Sequence, residues 1–127
     1  YEILPYYNSI FMDIVCETWH EGQCFLPNEK TGRPIIARTP FIAYAGKYFL
    51  KNLKKLGFKT FDRWWSEEYD DHEGVQRIQY MLKEIKKISR CPVDRLKEIQ
   101  QEMMPVLEHN YKIIKSLTPE QMLEKFK

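Results

Sequence analysis

Acid and base crowd together at one point of this sequence. Glu29, Lys30, Arg33 and Arg38 fall between positions 29 and 38, beside the apolar Ile35, Ile36 and Phe41. A carboxylate accepts hydrogen bonds from sugar hydroxyls, while lysine and arginine bring charge and donors to phosphate. The set therefore suits a ligand carrying both hydroxyls and phosphates. A structural ion-pair cluster capping a helix would use the same residue types, and the residues alone leave both readings open.

Other constellations say less. Cys16, His20 and Cys24 recur at intervals of four, but a closed zinc site wants four ligands. The fourth would have to be Cys91 or a distant carboxylate, so no metal site is expected and Cys16 reads as a buried strand end. Trp64-Trp65 near Tyr69 could stack on a base or sugar. Adjacent indoles point to different sides, so one is expected in the core and the other partly exposed. Lys47, Lys51, Lys54, Lys55 and Lys59 form a basic stretch, followed by Asp62, Glu67, Glu68, Asp70, Asp71 and Glu73. That pattern reads as a solvated helix face followed by an acidic helix start. Nucleic acid is an unlikely partner, because the acids would repel phosphates. Neither a Ser-His-Asp or Cys-His pattern with recognisable flanks nor a glycine-rich phosphate loop is present. His20, His72 and His109 are scattered and read as surface residues.

Elements must hold the charged cluster in place. Residues 9–17 are mostly apolar and predict a strand buried on both faces, with Asp13 the odd member. Residues 18–28 read as a loop. Thr31 is expected to cap a short helix through about Arg38, with Gly32 and Pro34 in its first turn and Pro40 stopping it. A cap there would leave N–H groups free for phosphate. Residues 41–45 predict a second strand, and Gly46 permits a tight turn. A helix over 47–56 places Phe49, Leu50, Leu53 and Leu56 on one face, and Gly57 ends it. Residues 58–61 alternate and predict a third strand. Strand and helix alternate in the βαβαβ order of a parallel sheet, in which ligands sit beyond the carboxyl ends of the strands. Residues 16–28, 45–47 and 62–65 fall at that edge.

The remainder reads as helical. Asp70 or Asp71 is expected to cap a helix running to about Ser89, with Val75, Ile78, Met81, Leu82, Ile85 and Ile88 as its apolar stripe. Cys91-Pro92 opens another, with Leu96, Ile99, Met103, Val106, Tyr111, Ile114 and Leu117 in register and Pro105 expected to kink or split it. Thr118-Pro119-Glu120-Gln121 is a capping box for a short last helix.

Composition sets the bounds. The chain has 127 residues, 43% hydrophobic and 30% charged, with a net charge of +2. That is one ordinary globular domain, 1–127, with a sheet part over about 9–61 and a helical part over about 70–127. No apolar run approaches the ~18 residues of a membrane span. Three cysteines, Cys16, Cys24 and Cys91, leave an odd thiol and point to a reducing compartment, the cytoplasm. The opening Tyr1-Glu2-Ile3-Leu4-Pro5 reads as that of a fragment or processed chain without a visible leader.

Several segments taken together resemble a known family. They are Glu17-Thr18; Glu29-Lys30-Thr31 with Arg33-Pro34-Ile35; Pro40-Phe41-Ile42; Leu56-Gly57-Phe58-Lys59-Thr60-Phe61; and Trp65-Ser66-Glu67-Glu68-Tyr69-Asp70. Over about 9–88 they are similar to the carboxy-terminal half of glycosyltransferase-like proteins of phages and bacteria. The Glu-Lys pair is also similar to the nucleotide-sugar site of fucosyltransferase-type enzymes with two Rossmann-like domains. The resemblance implies an α/β, Rossmann-like three-layer domain with a small parallel sheet and a helical carboxy-terminal extension. It implies a nucleoside-diphosphate sugar as donor and no other cofactor, with Glu29 at the ribose and Lys30 or Arg33 at the phosphates. Thr31, Glu17 and Gly46 complete the expected substrate-binding set. The sequence departs from the family at Asn28, Gly32 and Arg33, where the family carries threonine before the glutamate and lysine in place of Arg33. Two-domain transferases keep the acceptor site, and usually the catalytic base, in an amino-terminal domain. The chain is thus expected to need such a domain or a partner chain, in the host cytoplasm if viral, and its catalytic residues are unknown. The alternative is a non-catalytic protein-interaction module, viral or not, on the same fold.

Overall fold

The computed structural model describes residues 10–17 and 29–116. In chain order these form β1 (Asp13–Cys16), α1 (Glu29–Ile36), β2 (Phe41–Tyr44), α2 (Phe49–Lys55), a 3-10 turn (Glu68–Asp71), α3 (Gly74–Ser89) and α4 (Val93–Ser116). The architecture is mixed α/β around a two-stranded parallel sheet.

β1 and β2 pair in parallel from Asp13 opposite Phe41 to Cys16 opposite Tyr44. The ladder continues at both ends, with Asp13 N donating to Pro40 O at 2.9 Å and Glu17 N to Tyr44 O at 3.0 Å. Parallel neighbours need a crossover, and α1 lies in it. β2 is covered on both faces: Phe41, Ile42 and Ala43 are all buried. β1 is not. Val15 is buried but Ile14 is 50% exposed, and Cys16 is exposed rather than a buried strand end.

The third expected strand, 58–61, is not a strand and pairs with none among the described residues. Side chains take the backbone groups a neighbour would have used. The Asn110 amide accepts from Lys59 N at 2.8 Å and donates to Lys59 O at 2.9 Å. Glu67 accepts from Phe61 N at 3.0 Å. With those groups satisfied, Phe58 and Phe61 pack directly into the core, Phe61 edge-on to Phe41 at 5.4 Å.

Helix ends follow local chemistry, partly at positions the sequence did not suggest. α1 starts at Glu29, so Thr31 lies inside it and is not its cap. α1 closes on Arg38, which is left-handed at φ 52°. Arg38 N donates to Ile35 O and Thr39 N to Pro34 O, the paired bonds of a Schellman end. That conformation disfavours an L residue, and α4 holds it: the Arg38 guanidinium pairs with Glu108 and lies 3.8 Å over the Tyr111 ring. α2 ends the same way at Gly57, φ 102°, with Gly57 N donating to Lys54 O and Phe58 N to Leu53 O. Its start is capped from a distance. Both Asp70 carboxylate oxygens accept, from Leu50 N at 2.9 Å and Lys51 N at 3.1 Å. Asp70 therefore caps α2, not α3, which begins after Glu73 with no side-chain cap.

The face that α3 buries keeps half of the expected stripe: Met81 is buried and Ile85 and Ile88 pack against the core. Arg77, Met81 and Glu84 point inward, while Val75, Ile78 and Leu82 face outward. Arg77 is fully buried and spends its donors on carbonyls. It donates to Ala43 O through Nε at 3.0 Å and Nη2 at 2.8 Å, and through Nη1 to Tyr69 O and His72 O at 3.1 Å each. Asp70 Oδ1 lies 3.4 Å from Nη2. Burial lowers the Arg77 pKa and Asp70 opposes that shift. A buried charge is tolerable only when satisfied in this way. Glu84 accepts from Ser66 N at 3.0 Å.

α4 runs unbroken through Pro105. That proline is exposed, so water can satisfy the carbonyl left without its helical donor. Ile99, Met103 and Leu107 are buried on its inner face, as expected of the core stripe. Trp65 is buried, while Trp64 is half-buried and donates through Nε1 to Glu102 at 3.1 Å, the division expected of adjacent indoles. The last expected helix, over 118–126, lies outside the described residues. No helix among those described is long and apolar enough to cross a membrane.

Candidate functional site at the carboxyl edge of the sheet

A parallel strand pair presents its ligand side at the carboxyl ends, and two groups of residues gather there. The first follows β1. Glu17 is buried and accepts a hydrogen bond from the Thr31 hydroxyl, itself fully buried. This bond ties the first turns of α1 to the end of β1. Glu29 and Lys30 are the opening residues of α1, and Arg33 is half-buried one turn later. Glu17 and Thr31 are thus brought together, but as mutual partners beneath the helix. Residues 18–28, including His20, Cys24 and Asn28, lie outside the described residues. Among the described residues no cluster of three His, Cys, Asp or Glu could hold a metal.

The second group follows β2. Ala45 and Gly46 are buried, and Gly46 O accepts from Phe49 N at 3.2 Å. The left-handed residue of this turn is Tyr48, φ 68°, and not Gly46. Tyr48 is pinned by its N–H, which donates to Asp70 O at 2.8 Å, and Lys47 Nζ and Lys51 Nζ stand 5.0 and 5.1 Å from its ring centre. Beside it opens a cleft of about 240 Å³ lined by Tyr48, Leu50, Lys51, Lys54, Glu67, Asp70 and Asp71. Of the expected site residues with described side chains, Glu17, Thr31, Arg33 and Gly46 do not line it.

Glu67 gives this cleft its chemistry. Burial pushes its pKa up from 4.5 to about 7, against the Thr60 hydroxyl and Phe61 N–H, which favour the charged form; Asp62 adds to the rise and Lys54 opposes it. A carboxyl near half protonation at neutral pH can donate or accept. With Lys51 and Lys54 alongside, the cleft can take an anionic group that carries hydroxyls. Asp70, in contrast, is committed to α2 and Arg77. Sequence reasoning missed Glu67 as a site residue, because its shift comes from burial, which spacing along the chain does not show. The signal present was its place in the Trp65–Asp70 segment.

Comparison with known proteins adds no constraint to this geometry: no family model, curated protein or solved structure matches the chain.

Proposed function

We propose that this chain is the nucleotide-sugar binding half of a glycosyltransferase-like protein, built on a Rossmann-like domain and completed by an amino-terminal domain or partner chain. One observation carries the reading. The β1–α1–β2 unit is parallel, and the Glu17–Thr31 bond seats the start of α1 at the carboxyl edge. Glu29 there would accept from the ribose hydroxyls, and Lys30 and Arg33 would meet the diphosphate. Transfer itself would need the acceptor side, so the half-site alone binds without turning over. Cys16 and Cys91 are free thiols, which suits the cytoplasm.

The test is ligand-observed NMR with uridine, guanosine, adenosine and cytidine diphosphates at millimolar concentration. Arg33→Ala should weaken a diphosphate far more than the bare nucleoside, and the loss should shrink at high salt. Glu29→Gln should weaken ribose nucleotides more than deoxy ones. No signal for any diphosphate, or a signal unchanged in both variants, would refute the donor reading.

A second reading, a module that binds protein through its late helices, is favoured by a different observation. Val75, Ile78 and Leu82 stand exposed in a row on α3.

A further inference from the structure

The outer face of α3 carries two features that the described chain leaves unused. The first is apolar: Val75 is 71% exposed, Ile78 40% and Leu82 47%. They lie opposite the buried Arg77 and Glu84 and make a stripe about 10 Å long. The second is a charge gradient along the same helix. Asp71 and Glu73 stand exposed ahead of its first turn, and Lys83, Lys86, Lys87 and Arg90 are exposed at its far end. Lys87 is held by Glu84 at 3.5 Å. Among the described residues no carboxylate pairs with Lys83, Lys86 or Arg90, and no cation pairs with Asp71 or Glu73. The basic residues and Leu82 line an open hollow of about 430 Å³.

An apolar stripe with acid at one end and base at the other is complementary to itself turned end for end. We propose that this face is a self-association surface, on which a second copy of the chain lays its own α3 antiparallel. The two stripes then meet around Gln79, with Ile78 against the partner's Leu82. Asp71 and Glu73 reach the partner's Lys86 and Arg90, and a two-fold axis repeats each pair. Opposed helix dipoles favour the same orientation. A parallel arrangement would set acid on acid and base on base. The proposal deepens the interaction reading and rests on it, and it is independent of the nucleotide site.

Sedimentation equilibrium of the full chain from about 5 to 500 µM tests it, a range chosen because so small a patch supports only weak pairing. Wild type should move from monomer to dimer mass across that range, and more readily at low salt. Leu82→Glu, at an exposed position the fold tolerates, should stay monomeric. Glu73→Lys alone should lower the association constant about fivefold or more, since it reverses two symmetric pairs. Glu73→Lys combined with Lys86→Glu should restore it. A monomer at every concentration, a dimer indifferent to Leu82→Glu, or no rescue in the double variant would overturn the self-pairing. A parallel amide-shift titration separates that failure from failure of the interaction reading. The probe is a synthetic helical peptide with leucines at i, i+3 and i+7 and a glutamate rim. If wild type is monomeric and the peptide shifts the α3 amides, self-pairing falls and the interaction reading stands. Without such shifts, both fall.

Discussion

Glu67→Gln should stabilise this protein at pH 8 and do far less at pH 5. In the folded chain the Glu67 carboxyl is held at about 7 instead of 4.5, whereas in the unfolded chain it titrates as an ordinary glutamate. The folded state therefore binds a proton that the unfolded state has already released between those two values. Stability conferred by this group falls as pH rises from about 4.5 to about 7, and the full penalty is present above that window. At about 1.4 kcal/mol per pKa unit the penalty is about 3 kcal/mol, and solvent screening of the half-buried carboxylate reduces it to about 2 kcal/mol. Glutamine keeps the acceptor for Phe61 N and carries no charge at any of these pH values. The assay is urea unfolding of both proteins at intervals from pH 5 to pH 8. Other titrating groups move both curves together, so the difference isolates Glu67. The variant's advantage should grow steadily with pH and reach about 2 kcal/mol at pH 8. If the two profiles run parallel to within about 0.5 kcal/mol, a surface-sized effect, Glu67 titrates normally and the cleft loses its switchable carboxyl.

Three further substitutions probe the frame around the site. Arg77→Met removes the guanidinium bonds to Ala43 O, Tyr69 O and His72 O and leaves Asp70 buried without its cation. It should cost about 3–5 kcal/mol in urea melts, and a loss below about 1 kcal/mol would mean that the guanidinium holds nothing together. Met103→Ala removes a side chain with no exposure and should cost about 2–5 kcal/mol, measured the same way; a surface-sized change would take α4 out of the core. Gly57→Ala forces an L residue into φ 102° with its Cβ 3.5 Å from Ile113 Cδ1, and the strain should lower stability by about 1–2 kcal/mol, read as a fall in thermal midpoint.

Sequence periodicity reached the elements whose pattern is local. The parallel pairing of β1 with β2 follows from two apolar runs separated by a helix-sized segment. Gly57 marks its helix end because a left-handed position after an apolar turn wants glycine. What escaped was decided by groups far apart in the chain. The 58–61 run alternates as a strand does, yet Asn110 and Glu67 supply the hydrogen bonds that would have called for a neighbour. Asp70 has the spacing of an α3 cap, but its carboxylate turns back to α2. Around the candidate site, Glu29, Lys30 and Arg33 stand out in the sequence as a charged cluster. The burial that shifts Glu67 does not, because burial arises only in the folded chain.

The outward turn of Val75, Ile78 and Leu82 on α3 follows from one side chain. Counting apolar residues puts Val75, Ile78 and Leu82 inside, since burying them is worth about 1.5–3 kcal/mol each. Arg77 reverses that choice. Ala43 O, one residue before the end of β2, meets the same guanidinium as Tyr69 O in the 3-10 turn and His72 O just after it. Tyr69 O also accepts from His72 N, but a buried carbonyl left without a donor, such as Ala43 O, would cost about 1–3 kcal/mol. A guanidinium, with five donors in a fixed fork, is the one side chain able to serve them together. Once Arg77 and Glu84 take the inner face to satisfy the ends of β2 and the Ser66 turn, the helical repeat forces the opposite residues outward. The same constraint that completes the polar interior thus leaves an apolar face on the surface, and a face of that kind is stable in water only when something covers it or when it remains small.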